Sequence, residues 1–284
     1  MADKAASVLA RLKNKSIESG RSYQLCLQLF CQEEFLRRLE RSRYTDNFVL
    51  KGGLFIYTLT EFESRVTMDI DLLLQKLPNT IEELRPVILE IIQTDTGNDY
   101  ITFELKGMQP ISIAKKYAGI SASLVAIIKN TRTPIKIDFG VGDVIVPSKE
   151  KRSIPTQLDG FEKPVINTYS LETAIAEKID AILDLMEYSS RMKDYYDLYY
   201  LLTHFEFDED TLAEAMKKTF ENRDHHFTTE QFDHVMSFAE DESMQKKWNA
   251  FTKKINSDSV NYKEVLKVIE YYLRKPIETV LKNK

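Results

Sequence analysis

The stretch TMDIDLLLQ, residues 67–75, constrains the fold more than any other, because two aspartates are set into what otherwise reads as a buried strand. Residues two apart on a strand project to the same face, so Asp69 and Asp71 point together. Their neighbours Met68, Ile70, Leu72, Leu73 and Leu74 are apolar. A carboxylate in such surroundings costs several kcal/mol of desolvation unless a positive charge compensates it. Two of them ask for a cation.

The preceding residues suit the same chemistry. DNFVLKGG is a short apolar strand ended by glycines, and LFIYTLTEF is a short helix candidate. Gly52 and Gly53 therefore fall at a strand-to-helix turn, where backbone N–H groups and a helix N-terminus face an anion such as a phosphate. A third acid, Asp138 in PIKIDFG, interrupts another apolar strand. Hard divalent cations take such oxygen ligands. Three carboxylates on neighbouring strands suit two metal ions engaged in phosphoryl transfer. The plainer alternative makes Asp69 and Asp71 strand-end acids paired with Arg65 and a lysine, and Asp143 in GVGD is a rival to Asp138.

Bulk properties narrow the class. The 284 residues suffice for two domains or one elaborated domain. Apolar residues make up 43% and no run approaches the length of a membrane span, so no membrane partner is expected. The amphipathic start, MADKAASVLARLKNKS, lacks the apolar core of a signal peptide. Cys26 and Cys31, five apart in a helical pattern, are poorly placed for a mutual disulfide, which suits a reducing cytoplasm. A net charge of −5 argues against indiscriminate nucleic-acid binding but leaves room for a local basic surface. Candidates are Arg37, Arg38, Arg41 and Arg43, then Lys115 and Lys116, then Lys149, Lys151 and Arg152, all with acidic neighbours.

Along the chain, residues 1–44 show helical spacing, NTIEELRPVILEIIQ is a helix capped by Asn79 or Thr80, and three strand-like segments run from about 100 to 146. After about residue 165 the strand signal almost vanishes. The prediction is an α+β protein with a mixed sheet flanked by helices over 1–165 and a mostly helical domain over 166–284. VPSKEKRSIPTQLDGFEKP, rich in charge and Pro, is the expected boundary.

The helical half supplies cations. In LETAIAEKIDAILDL the apolar stripe includes Leu171, Ala174, Ile175, Ile179, Ile182 and Leu185, and Lys178 falls inside it. A lysine there either snorkels outward or points its ammonium at an anion. Glu177, Asp180 and Asp184 read as a solvated side. The next helix opens SSRMKDYYDLYYLL, with Ser190 as N-cap candidate and Arg191, Lys193, Asp194 and Asp197 within two turns. No P-loop is present, and adjacent His225 and His226 would diverge on a helix rather than bind zinc.

In this order, KGG…RVTMDIDL, IKIDFG, TAIAEKIDAI and RMKDYYDLYYL resemble the motifs of the AbiEii/AbiGii toxin family of nucleotidyltransferase-like proteins, over roughly residues 48–202. One departure is Leu54, where relatives often carry a threonine after the glycines; a hydroxyl that could touch a phosphate is lost. The resemblance implies an NTP-dependent nucleotidyltransferase toxin of bacterial toxin–antitoxin and phage-exclusion systems. Such toxins are usually encoded beside an antitoxin with a winged-helix DNA-binding domain, and some relatives add nucleotides to tRNA 3′ ends. By position, it implies that Asp69, Asp71 and Asp138 bind Mg²⁺ or Mn²⁺ and that Lys178 meets the triphosphate. Asp194 becomes an essential acid, base or positioning residue, and Gly52, Gly53, Lys193 and Arg191 join the nucleotide or RNA contacts. The expected reaction transfers a nucleotide from NTP to RNA, a tRNA 3′ end foremost, and blocks translation. The alternatives are nucleotidylation of a protein hydroxyl and a non-enzymatic protein that holds nucleotide or a partner.

Overall fold

A computed structural model describes residues 3–111, 119–188, 190–255, 257 and 260–282. Lys115 and Lys116, two of the basic-surface candidates, lie outside the described residues. The chain forms two compact units, residues 1–142 with 150–168, and residues 143–149 with 169–284.

The first unit is built on a seven-stranded mixed sheet. Helices α1 (Lys4–Ser19) and α2 (Tyr23–Arg41) lead into β1 (Phe48–Lys51), α3 (Gly52–Leu59), β2 (Asp69–Leu74) and α4 (Ile81–Gln93). Strands β3 (Ile101–Ile111), β4 (Gly119–Ile128) and β5 (Thr131–Gly140) form an antiparallel meander, followed by β6 (Glu150–Ser153) and β7 (Val165–Thr168). The strand order is β3-β4-β5-β2-β1-β7-β6. Strand β2 is thus central, antiparallel to β1 and parallel to β5. Its apolar side chains Ile70, Leu72 and Leu73 are buried with Val49, Leu50, Ile137 and Phe139 of its two neighbours. Thr80, one of the two candidates, caps α4, its hydroxyl accepting from the Glu83 amide.

Two strands were hidden in the sequence. The charged, Pro-bearing stretch expected as a boundary contains β6, and β7 follows it, their antiparallel pairing running from Glu150–Thr168 to Ser153–Val165. Strand β6 is a four-residue edge strand, EKRS, and charged side chains on short edges are how sheets avoid pairing with other chains.

Of the four arginines from 37 to 43 named as a candidate basic surface, Arg37 and Arg38 are buried, whereas Arg41 and Arg43 are exposed. Arg37 and Arg38 are buried and ion-paired to Glu34, while Arg41 pairs with Glu162 and Arg43 with Glu90. The buried guanidiniums also donate to backbone carbonyls, Arg37 to Glu162 O and Arg38 to Ile92 O and Ile101 O. Glu34 in turn accepts from Thr96 and Asn98, and Glu33 from the Gln157 amide. Burial pushes the Glu33 carboxyl up to about 8 against the opposing pull of Arg37. Cys26 and Cys31, both on α2, are buried free thiols, and burial raises Cys31 to about 12.

The second unit is helical: α5 (Leu171–Leu185), α6 (Met192–His204), α7 (Glu209–Arg223), α8 (Thr229–Ser237), α9 (Glu242–Lys254) and α10 (Tyr262–Lys282). The predicted stripe of α5 is its core face: Ile175, Ile179 and Ile182 are buried, as are Leu198 of α6, Met216 of α7 and Ile269 of α10. Among the described residues no helix is long and apolar enough to cross a membrane.

Candidate active site

The register of the sheet assembles the first group of site residues. Asp71 and Asp138 are direct partners on the parallel strands β2 and β5, and Asp69 lies one rung away opposite Lys136. Paired residues on adjacent strands share a face, so all four project together. Lys51 stands opposite Asp71 on the other neighbour, β1, and Ser121 opposite Asp138 on β4. The sheet therefore brings Asp69, Asp71 and Asp138 to one patch and separates Asp138 from its rival Asp143. The latter belongs to the second unit, where it pairs with Arg223.

The glycine pair closes on this patch. Gly52 opens α3 with a φ of +65°, a conformation glycine takes without steric penalty. A Cβ there would lie 2.3 Å from Asp71 Oδ2. A Cβ on Gly53 would meet Thr67 Oγ1 at 2.9 Å. Gly-Gly is thus required because the turn packs directly against the carboxylate and the chain leading into β2. The backbone N–H groups of the first turn of α3 start the helix at that point, which favours an anion beside the acids.

Two cations on this face escaped the sequence reading. Lys136, on the same strand as Asp138, donates from Nζ to Asp138 Oδ2 at 2.6 Å. The pairing of Asp69 and Asp71 with Arg65 and a lysine was the plainer alternative; the lysines that the ladder places here are Lys51 and Lys136. The donor chemistry suits a hard divalent cation: three carboxylates share the face, and the buried Oδ1 of Asp138 has no hydrogen-bond partner among the described residues. The carboxylates do not close on one point, however. Among the described residues no group of three or more His, Cys, Asp or Glu is set closely enough to hold a metal ion.

The second unit gathers the remaining residues. Lys178 does not snorkel: it is buried on α5 and donates to Asp194 Oδ1 at 2.8 Å and to Asp197 Oδ2 at 2.7 Å, both on α6. Arg191 Nε reaches Asp194 Oδ2 at 2.7 Å. Burial alone would raise the Asp194 carboxyl, and the charges of Lys178, Arg191 and Lys193 overcome it, holding Asp194 below its ordinary 3.8. The cap residue of α6 is Arg191 rather than Ser190, without a side-chain cap bond. The Arg191–Asp194 pair and an Asp194 N–H to Arg191 O bond secure the first turn instead. Asp194, Lys178, Arg191 and Lys193 are thus one electrostatic unit, with Asp197, placed by its spacing within two turns of Arg191, as the second carboxylate on Lys178.

Of the three α5 acids read as solvated, Asp184 is exposed, whereas Glu177 and Asp180 are enclosed. Asp180 is buried, Arg223 pairs with Asp143, Glu177 and Asp180, and Tyr169 Oη donates toward Asp143 and Glu177. His225 Nδ1 lies 2.8 Å from Asp180 Oδ1. These contacts tie residue 143, α5 and the end of α7 within the second unit.

Comparison with known proteins fits this arrangement. A family model described as "Nucleotidyl transferase AbiEii toxin, Type IV TA system" matches residues 34–275. No curated protein sequence matches. Among solved structures, JHP933 from Helicobacter pylori is similar over 92% of this chain and 95% of that one, at 15% identity and a TM-score of 0.50. A second H. pylori structure, described as a candidate nucleotidyltransferase, covers 90% and 97% at 16% identity and a TM-score of 0.47. At such identities the likeness of JHP933 speaks for a shared fold alone. The family model spans both units and all four motif segments, and this chain belongs to the AbiEii nucleotidyl transferase toxin family of type IV toxin–antitoxin systems.

Proposed function

We propose that this toxin transfers a nucleotide from an NTP to the terminal hydroxyl of an RNA, a tRNA 3′ end, and thereby blocks translation. The observation that carries the transfer chemistry is the rung pairing Asp71 with Asp138, with Gly52 closed against Asp71. The RNA acceptor rests on the family resemblance.

In this reading Asp69, Asp71 and Asp138 would hold Mg²⁺ or Mn²⁺, which would supply charge neutralisation at the triphosphate and activation of the acceptor oxygen. The acceptor oxygen attacks the α-phosphorus, the bond from that phosphorus to the β-phosphate bridging oxygen breaks, and pyrophosphate leaves. The hydroxyl proton passes to a carboxylate of the patch or to solvent. The amides at the start of α3 orient a phosphate oxygen. Lys178 is assigned to the triphosphate, with Asp194 and Asp197 fixing its ammonium, and Arg191 and Lys193 serve phosphate or RNA contacts. The partner expected from the family is a cognate antitoxin, with a winged-helix DNA-binding domain in the usual arrangement.

The test is labelling. Purified protein with Mg²⁺ or Mn²⁺ and each α-labelled NTP in turn is incubated with total tRNA and with lysate protein, beside an Asp69→Asn, Asp71→Asn variant. Label in tRNA that the variant loses is the expected result and names the nucleotide. Label that survives RNase but not protease transfers the acceptor to a protein hydroxyl. Nucleotide binding without transfer to any acceptor refutes the enzymatic reading.

A further inference from the structure

Lys136 has no part in the chemistry above, yet it stands among the residues that do. On the sheet face the groups form a rectangle: Asp69 and Lys136 share one rung, and Asp71 and Asp138 the next. The Lys136 ammonium donates to Asp138 Oδ2 at 2.6 Å. That bond raises its pKa above the ordinary value of 10.5 against desolvation, and the charges of Asp138, Asp69 and Asp71 add to the rise. One side chain therefore feels all three carboxylates.

The arrangement is asymmetric in a way that suggests exchange. Asp138 offers two oxygens; Oδ2 is taken by the ammonium, while the buried Oδ1 lacks a partner among the described residues. Three carboxylates against the ammoniums of Lys136 and Lys51 leave the face net negative, which favours a divalent cation there. The Lys136 side chain is 47% exposed on a flexible four-carbon stem, so its head can move into water with no change in the backbone. A buried lysine such as Lys178, 11% exposed and held by two carboxylates, has no such exit.

We infer that Lys136 is an exchangeable counter-cation of the carboxylate patch: it holds Asp138 in place in the metal-free protein and yields that carboxylate to the divalent cation on binding. The inference rests on the metal-binding role given to Asp69, Asp71 and Asp138 above. It makes Lys136 a positioning residue of the carboxylate patch. Its presence weakens metal binding, because the entering cation must displace a bonded charge.

The experiment measures Mn²⁺ affinity of the full chain by electron paramagnetic resonance for wild type, Lys136→Met, Lys136→Gln, Lys136→Arg and Asp71→Asn. Removing one positive charge a few ångströms from a divalent ion in a water-like dielectric corresponds to about tenfold in affinity. Met and Gln variants are therefore expected to bind Mn²⁺ about tenfold more tightly, with Arg near wild type. The metal-free Met and Gln variants melt below wild type, and saturating Mn²⁺ closes the gap. Unchanged affinity in both neutral variants, with binding lost in Asp71→Asn, overturns the counter-cation role and leaves the metal site standing. A wild type that binds no Mn²⁺ overturns the metal site and this inference with it.

Discussion

Replacing Gly52 by alanine separates backbone strain from damage to the site. The residue sits at φ +65°, and an L-residue held in the left-handed region costs about 1–2 kcal/mol. The new Cβ would also stand 2.3 Å from Asp71 Oδ2 and 2.8 Å from Asp71 Cγ, where carbon–oxygen contacts settle at about 3.3 Å or more. The carboxylate must therefore retreat by roughly 1 Å, and a displacement of that size in a reacting constellation costs about a hundredfold in rate. Gly20 provides the control. It has nearly the same φ, +67°, but an added Cβ meets nothing within 4 Å. Urea denaturation should show both Gly52→Ala and Gly20→Ala destabilised by about 1–2 kcal/mol. The labelling assay should show about a hundredfold loss for Gly52→Ala alone. Wild-type transfer by Gly52→Ala, at any stability, would refute the claim that the turn fixes the position of Asp71.

Three further expectations follow from buried charge. Lys178→Met strands the carboxylates of Asp194 and Asp197, and chemical denaturation should show a loss of about 3–5 kcal/mol, partly restored by adding Asp197→Asn; an unchanged midpoint would contradict the buried pairing. Glu33, with a folded pKa raised from 4.5 to about 8, keeps its proton in the folded protein where the unfolded chain releases it. Its contribution to stability is therefore full below about pH 4.5 and falls by up to about 1.4 kcal/mol per pH unit until about pH 8. Denaturation across that window should flatten in Glu33→Gln, and an unaltered slope refutes the assignment. Cys31, buried with its thiol raised to about 12, should resist iodoacetamide at pH 8 in the folded protein and react once urea unfolds it; mass spectrometry reads the difference.

What the sequence disclosed follows the range of the interactions. Period-two placement of Asp69 and Asp71, the glycine pair before a helix and the stripe of α5 are local patterns, and each is where the pattern puts it. That Asp138 rather than Asp143 stands beside Asp71 is set by register between strands 67 residues apart, for which the sequence offered only similarity of texture. Lys136 was invisible for a related reason: outward lysines on alternating strands are ordinary, and its rung neighbours come from another strand. The arginines of α2 looked solvated because charged residues usually are; here they close on Glu34 one turn away and on carbonyls far along the chain. Strand β6 failed every apolar test because it is an edge.

The network on α2 also bears on the order in which the protein is made. Helix α2 leaves the ribosome early, yet its buried charges are satisfied by Ile92, Thr96, Asn98, Ile101, Gln157 and Glu162. The segment supplying the last two adjoins β7, whose pairing with β1 is made at Leu50 and Thr168. Until about residue 168 has been synthesised, Glu33 and Arg37 lack their partners at Gln157 and Glu162, and the central strands lack a neighbour on one side. Residues 143–149, meanwhile, are committed to a unit whose remainder is still untranslated. The growing chain therefore completes the sheet that carries the carboxylate patch late, and a translation complex stalled before that point carries that sheet without β7 and its pairing to β1.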